Sequence, residues 1–347
     1  MRGGTPMANM SVSPVELLLV DDNPGDARLV QIMLGGVGGF RLACTGCLRE
    51  ALALIAARAP DAVLLDLSLP DSQGMNTVDA VRKAAPTLPV VVLTGLDDEA
   101  AALQAIRLGC QDYLVKGQGD GDLIRRIVLY AIERKAADEE RRRSAEQLKR
   151  IQRQTVRAVS LTLELRDPYT AGHQRRVALL ASAIGEEMGL LGHVVEGLYT
   201  GALIHDIGKI AVPSDILSRP GKLSDAAFSI IKEHPETGRE IVQGIEFPWP
   251  VATMILQHHE RFNGSGYPGG LKGDETILEA RILAVADVVE AISSHRPYRA
   301  ALGMATALDE IETNADSLYD PVVVTACLDV VRLNGGSAPW ESRPSWE

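Results

Sequence analysis

The chain has 347 residues, 46% of them hydrophobic, enough for two separate cores, and a formal net charge of −11. Such acidity excludes the basic footprint of a nucleic-acid-binding surface, so no DNA binding is expected and any nucleotide ligand has to be met by local cations. Four cysteines are too few and too scattered for a disulfide framework, and no apolar run is long enough to span a bilayer.

Residues 1–14 are small and polar and lack the apolar core of a signal peptide, which predicts a mobile tail on a cytoplasmic protein. Apolar runs at Leu17–Val20, Ala62–Leu65, Val90–Leu93 and Asp112–Val115 then alternate with amphipathic helical stretches. With a weaker strand near Arg41–Cys44 they make five βα units, the pattern of an α/β doubly wound parallel sheet buried between helices. The pair in Cys44-Thr-Gly-Cys47 has no second pair to complete a zinc site and reads as ordinary strand-edge and helix-start residues. Sites in such sheets lie beyond the carboxyl ends of the strands. There the sequence places Asp21 and Asp22 after the first strand, Asp66 ending the third, Thr94 ending the fourth and Lys116 after the fifth. Converging carboxylates repel one another unless a hard cation such as Mg²⁺ sits among them.

The runs Val20-Asp21-Asp22-Asn23, Leu65-Asp66-Leu67-Ser68-Leu69-Pro70, Leu93-Thr94-Gly95 and Tyr113-Leu114-Val115-Lys116 resemble the response-regulator receiver domain, over residues 15–133. The resemblance implies a flavodoxin-like fold in which Asp66 accepts a phosphoryl group from a cognate sensor histidine kinase. It assigns Mg²⁺ to Asp21 and Asp22, sensing of the phosphoryl group to Thr94 and Lys116, and an aromatic switch to Tyr113.

Residues 134–158 form the expected linker. From Ala131 to Gln154 the chain is dense in Glu, Arg, Lys and Ala without Pro or Gly, a composition that favours a helix. Leu148, Ile151, Thr155 and Ala158 keep a coiled-coil spacing for a short distance, which makes a homodimer attractive.

Beyond the linker, five of the seven histidines fall in a series with carboxylates: His173, His205-Asp206, His234, His258-His259 and Asp287. Mixed imidazole and carboxylate donors without cysteine favour Fe, Mn or Zn in a site with open positions rather than a closed structural zinc. Neighbours on a helix diverge by about 100°, so the two adjacent pairs can serve one site if it holds two ions or if an Asp bridges them. Two metals about 3.5–4 Å apart stabilise both oxygens of an in-line phosphoryl displacement, which points to phosphodiester hydrolysis. Lys209, three residues past Asp206, can face the same centre as a cation.

Asp167-Pro168-Tyr169-Thr170-Ala171-Gly172-His173, His205-Asp206-Ile207-Gly208-Lys209, and His258-His259-Glu260-Arg261 followed by Gly264, Gly266, Tyr267, Pro268 and Gly269 resemble the HD-GYP family of metal phosphohydrolases, over residues 159–335. That resemblance implies an all-helical domain cleaving cyclic di-GMP to pGpG or GMP. It implies two transition-metal ions, Fe or Mn, held by His173, His205, Asp206, His234, His258, His259 and Asp287, with Asp206 bridging. Lys209 would sit over the scissile phosphate, Arg296 and Arg299 would meet phosphate and guanine groups, and Gly266 and Tyr267 would edge the site. Some members hold a third metal through a glutamate four residues before the first histidine; here that position is Tyr169, so two metals are expected. Two alternatives remain at this stage. One is the same chemistry on another cyclic dinucleotide. The other is a protein-binding adaptor that engages partners such as diguanylate cyclases through the Gly-Tyr-Pro loop. Residues 336–347, rich in Ser and Pro, are expected to form a tail.

Overall fold

The computed structural model describes residues 13–95, 99–166, 172–219, 221, 223–294 and 301–342. Tyr169, Arg296 and Arg299 lie outside the described residues. The chain divides into two compact units, Met1–Leu148 and Lys149–Glu347.

The first unit contains five parallel strands, β1 (Val15–Val20), β2 (Phe40–Thr45), β3 (Ala62–Asp66), β6 (Val90–Thr94) and β7 (Asp112–Val115), in the order β2-β1-β3-β6-β7. A two-strand hairpin, β4 (Ser68–Leu69) and β5 (Ser72–Gln73), intervenes after β3. Strands β3 and β6 are buried at every position, which is why both read as unbroken apolar runs rather than alternations. Their side chains still divide by the period of two. Leu18, Val20, Val63, Leu65, Val90 and Val92 face α2 (Leu48–Ala57), α3 (Met75–Ala84) and α4 (Glu99–Arg107), whereas Leu17, Leu19, Leu64, Val91 and Leu93 face α1 (Pro24–Val37) and the start of α5 (Gly121–Arg166). Asn23 caps α1 by accepting from Gly25 N at 2.8 Å. The cap of α2 comes from a distance: the Asp71 carboxylate, beyond Asp66 in the hairpin, accepts from Leu48 N at 2.8 Å and Arg49 N at 2.9 Å.

The connecting helix is longer than the expected linker. Helix α5 runs without interruption from Gly121 to Arg166, and within the second unit Val156, Val159 and Leu163 pack on its core. Leu148 and Ile151 stay 67% and 48% exposed, so the coiled-coil spacing lies on a solvent face of the chain.

The second unit is helical. Two heavily buried helices, α6 (His173–Glu187) and α12 (Leu278–Ser293), pack with α7 (Gly192–Leu203), α10 (His234–Val242), α11 (Val251–Gln257), α13 (Met304–Thr313) and α14 (Pro321–Leu333). Short helices α8 (Ser214–Leu217) and α9 (Asp225–Ile231) follow a 3-10 turn, Ile207–Ala211. A closing turn, α15 (Pro339–Ser342), packs on α6 with Ala338 buried and Trp340 against the core. The tail expected from residue 336 therefore begins as packed structure, because its Ala and Trp supply the apolar contacts that its Ser and Pro obscure in the sequence. None of the described helices is long and apolar enough to cross a membrane.

Candidate metal centre and phosphoacceptor site

The structure gathers all seven donors of the His/Asp series. Asp206, His234, His258 and His259 bring ligand atoms within 4.8 Å of one another, and His173, His205 and Asp287 form a second such group. The Asp206 carboxylate lies between the two. Its Oδ1 is 3.4 Å from His234 Nε2, while its Oδ2 is 3.5 Å from His205 Nε2 and 3.9 Å from His173 Nε2. Asp287 Oδ1 is 3.3 Å from His173 Nε2 and 3.9 Å from His205 Nε2.

Neither adjacent pair lies within a helix. His205 and Asp206 follow the end of α7, and His258 and His259 follow the end of α11, where the chain turns and successive side chains can face one way. The divergence expected of helical neighbours is thus avoided by ending the helix, and the carboxyl ends of both helices face the centre with the partial negative charge that suits cations. Gly208 makes the close approach possible: a Cβ there would stand 1.9 Å from His234 O and 2.6 Å from Gly238 N. Only glycine lets the turn carrying Asp206 and Lys209 lie against the start of α10.

Backbone and side-chain partners fix the imidazole tautomers. The Nδ1 atoms of His205, His234 and His258 donate to the carbonyls three residues back, Ala202 at 2.7 Å, Ile231 at 2.7 Å and Ile255 at 2.6 Å. Each Nε2 lone pair is left pointing inward, the arrangement by which metal-binding histidines are oriented. His205 Nε2 is buried with no hydrogen-bond partner among the described residues, a bond that a metal ion would supply. Burial pushes His234 down to about 4 and His259 to about 3 against the opposing pull of Asp206 and Asp287, and holds His258 well below its ordinary value. Burial opposes ionisation of Asp206 and Asp287, but Lys209 and the histidines around Asp206, and His173 beside Asp287, hold both far below the usual carboxylate range. Neutral imidazoles and ionised carboxylates are the forms that ligate metals, so the residues fit a two-ion centre. For His173 burial is outweighed by Asp287 and Glu290, which raise it to about 9.

Glu290, Arg176 and Gln174 carry no signal in the motifs, whereas Lys209, Glu260, Gly266 and Tyr267 stand where the motifs place them in the sequence. Glu290, on α12 one turn beyond Asp287, is buried and hydrogen-bonded to His173 Nδ1, and Arg176 Nε donates to it at 2.6 Å. Gln174 Nε2 donates to Asp206 Oδ2 at 3.1 Å, and Lys209 Nζ stands 2.7 Å from the same oxygen. Glu260 is buried next to the His pair and accepts from Gly269 N at 2.7 Å and Leu271 N at 3.1 Å, folding the glycine-rich loop back on the site. Gly266 sits so close that a Cβ would be 2.4 Å from Glu260 Cα and Arg261 N. The Tyr267 ring stacks on His259 with centroids 4.8 Å apart.

In the first unit, Asp21, Asp22 and Asp66 bring carboxylate oxygens within 4.8 Å of one another. Lys116 Nζ is 2.5 Å from Asp66, 2.8 Å from Asp21 and 3.1 Å from Asp26, a carboxylate on α1 that the motif reading omits. Burial works against the Lys116 ammonium, yet Asp21, Asp66 and Asp26 hold it above its ordinary value. Burial raises Asp21 despite Lys116. Thr94 is buried at the end of β6, and Tyr113 is half-buried on β7.

Fold and site together define a two-domain response regulator, a receiver sheet followed by an HD-type helical domain. A response regulator receiver domain model matches residues 17–128 and an HD domain model matches residues 157–323. The chain is 33% identical over 293 residues to the cyclic di-GMP phosphodiesterase response regulator RpfG of Xanthomonas campestris pv. campestris, covering 80% of this chain and 78% of that protein. It is 32% identical over 288 residues to a cyclic di-GMP phosphodiesterase of Thermotoga maritima, covering 77% and 78%. A 3'3'-cGAMP-specific phosphodiesterase 3 of Vibrio cholerae is 36% identical over 178 residues, 51% of this chain and 39% of that one. The chain belongs to the family of response regulators that join a receiver to an HD-GYP domain.

Proposed function

We propose that the second unit is a metal-dependent phosphodiesterase hydrolysing cyclic di-GMP to pGpG and/or GMP, controlled by phosphorylation of Asp66. The observation that carries this reading is the division of seven donors into two groups with one Asp206 oxygen turned to each. The substrate follows the printed names of the relatives with which the chain shares both domains. Iron or manganese suits the donors, and Mg²⁺ suits the receiver carboxylates. Ions held by His173, His205, Asp206, His234, His258, His259 and Asp287 would supply positive charge to the attacking and leaving oxygens of the phosphate and would lower the pKa of water.

The chain's own groups do the rest. Gln174 and Lys209 both hold Asp206 Oδ2 in place. The Lys209 ammonium adds a second source of positive charge where the phosphate becomes more anionic, and it can give a proton to the leaving oxygen. Tyr267 covers one face of His259 and limits water there. Arg296 and Arg299 are assigned to the substrate's phosphate and guanine groups on the motif alone.

A sensor kinase would donate the phosphoryl group, and helix α5 supports a route for its effect. The helix begins beside the receiver core at Ile124 and Val128, and its last turns, at Leu163 and Arg166, line a small cavity with Gln174, Asp206 and Lys209. Displacement of that end would alter the Lys209–Asp206 pair. The exposed spacing of Leu148 and Ile151 supports pairing of two α5 helices in a homodimer. A second reading, 3'3'-cGAMP as substrate, is supported by the Vibrio cholerae relative.

The test is anaerobic purification, metal analysis, and chromatography of cyclic di-GMP and 3'3'-cGAMP after incubation with the protein and its H205A/D206A variant. Wild-type-only release of pGpG or GMP, with about two metals per chain, is expected. Metal-loaded protein that binds the dinucleotide but never cleaves it would overturn the reading.

A further inference from the structure

Phe228 and Lys232 take no part in the chemistry above, yet they stand at the edge of the centre. Lys232 N donates to Phe228 O at 3.0 Å, so the two residues are one helical turn apart at the end of α9 and share a face. The Lys232 ammonium lies 5.1 Å from the Phe228 ring centroid and 5.2 Å from that of Tyr267. Tyr267 in turn stacks on His259. His259, Tyr267, Lys232 and Phe228 thus form a ladder running outward from the donor cluster, and its outer rung, Phe228, is 45% exposed. Its position is set by the chain itself, because Lys232 precedes His234 by two residues and His234 is tied back to Ile231 O.

We propose that Phe228, Lys232 and Tyr267 form a subsite for the half of a cyclic dinucleotide that is not being cut. The inference rests on the phosphodiesterase reading. Such a substrate carries two phosphodiesters and two bases, and only one phosphodiester can occupy the metal centre, so the other half must be held beside it. An exposed aromatic ring offers a face to a base, and an ammonium held between two rings meets the second phosphate without having to be ordered on binding. A protein of net charge −11 needs such a local cation for a dianionic ligand.

The experiment compares the metal-loaded full chain with F228A and K232M on two substrates, cyclic di-GMP and bis(p-nitrophenyl) phosphate, which has one phosphate and no base. Base stacking is worth about five- to a hundredfold in affinity. Each variant is therefore expected to lower the kcat/KM for cyclic di-GMP relative to that for the small diester by about tenfold, with the loss in KM. F228W and K232R should restore most of it, and the K232M deficit should shrink as salt rises. An unchanged ratio, or an equal fall on both substrates, would overturn the subsite by showing no role or a merely structural one. If wild type cleaves the small diester but no cyclic dinucleotide, the substrate reading itself fails, and the subsite with it.

Discussion

Replacing Gly208 by alanine tests the packing that brings the two donor groups of the candidate metal centre together. An added Cβ would stand 1.9 Å from His234 O and 2.6 Å from Gly238 N, where real Cβ atoms essentially never come under 3.0 Å. Both obstacles are backbone atoms, so no side chain can swing aside, and the turn carrying Asp206 and Lys209 must move off α10. Overpacking costs about 1–3 kcal/mol and occasionally more; a backbone-on-backbone overlap belongs at the upper end, about 3 kcal/mol. For a unit of this size each kcal/mol lowers the melting temperature by about 2–4 °C, so a fall of about 6–12 °C is expected. The same movement separates Asp206 from His234, now 3.4 Å apart, and a displacement of about 1 Å at a reacting centre costs about a hundredfold in rate. Gly244→Ala is the control, since a Cβ there meets nothing within 4 Å among the described residues, and its melting temperature should stay within about 2 °C of wild type. Differential scanning calorimetry and phosphodiesterase turnover are the assays. A G208A protein that melts with wild type and turns over normally would refute the claim that this contact positions Asp206.

Other perturbations isolate single links. Glu290→Gln removes the carboxylate that orients His173, so metal affinity measured by equilibrium dialysis against a chelator should fall about 10–100-fold; unchanged affinity would exclude that role. In the receiver, burial raises Asp21 above 3.8, so its neutral form is the one the fold favours: that contribution is complete below the unfolded pKa and is lost as pH rises through the folded one. Mg²⁺ requires the carboxylate instead, so its thermal stabilisation of the receiver should grow as pH rises through the raised pKa of Asp21, and a flat response in melting scans would contradict the site. Burial pushes the Cys110 thiol up to about 11 and that of Cys327 to about 12. Cys44 is raised too but lies exposed, so accessibility makes Cys44 and Cys47 the two that react quickly with Ellman's reagent, with all four cysteines reacting after denaturation; a third fast thiol in the native protein would show that one of the buried pair is accessible.

What could be read in the sequence were the features written in residue type. Strands β3 and β6 show as apolar runs because both faces are covered, and the donors show because His beside Asp is rare enough to form a series. Features made by tertiary approach were silent. Asp26 looks like any acidic residue in a first helical turn until α1 brings it 3.1 Å from Lys116, and Gln174 looks like any polar residue until α6 sets it against Asp206. Composition reports only the charged middle of α5, because its ends carry apolar residues that belong to two different cores, Ile124 and Val128 in one and Leu163 in the other. Glu290 did leave a trace. It is the one acid besides Asp287 in the stretch Ile282–Ile292, on a helix whose other residues there are Ala, Val, Leu and Ile. Burying a carboxylate unpaired is costly, so an acid one turn from Asp287 on such a helix has to meet a cation or a donor inside the fold. His173 and Arg176 are the groups it meets, which makes the apolar setting of Glu290, rather than its identity, the readable signal.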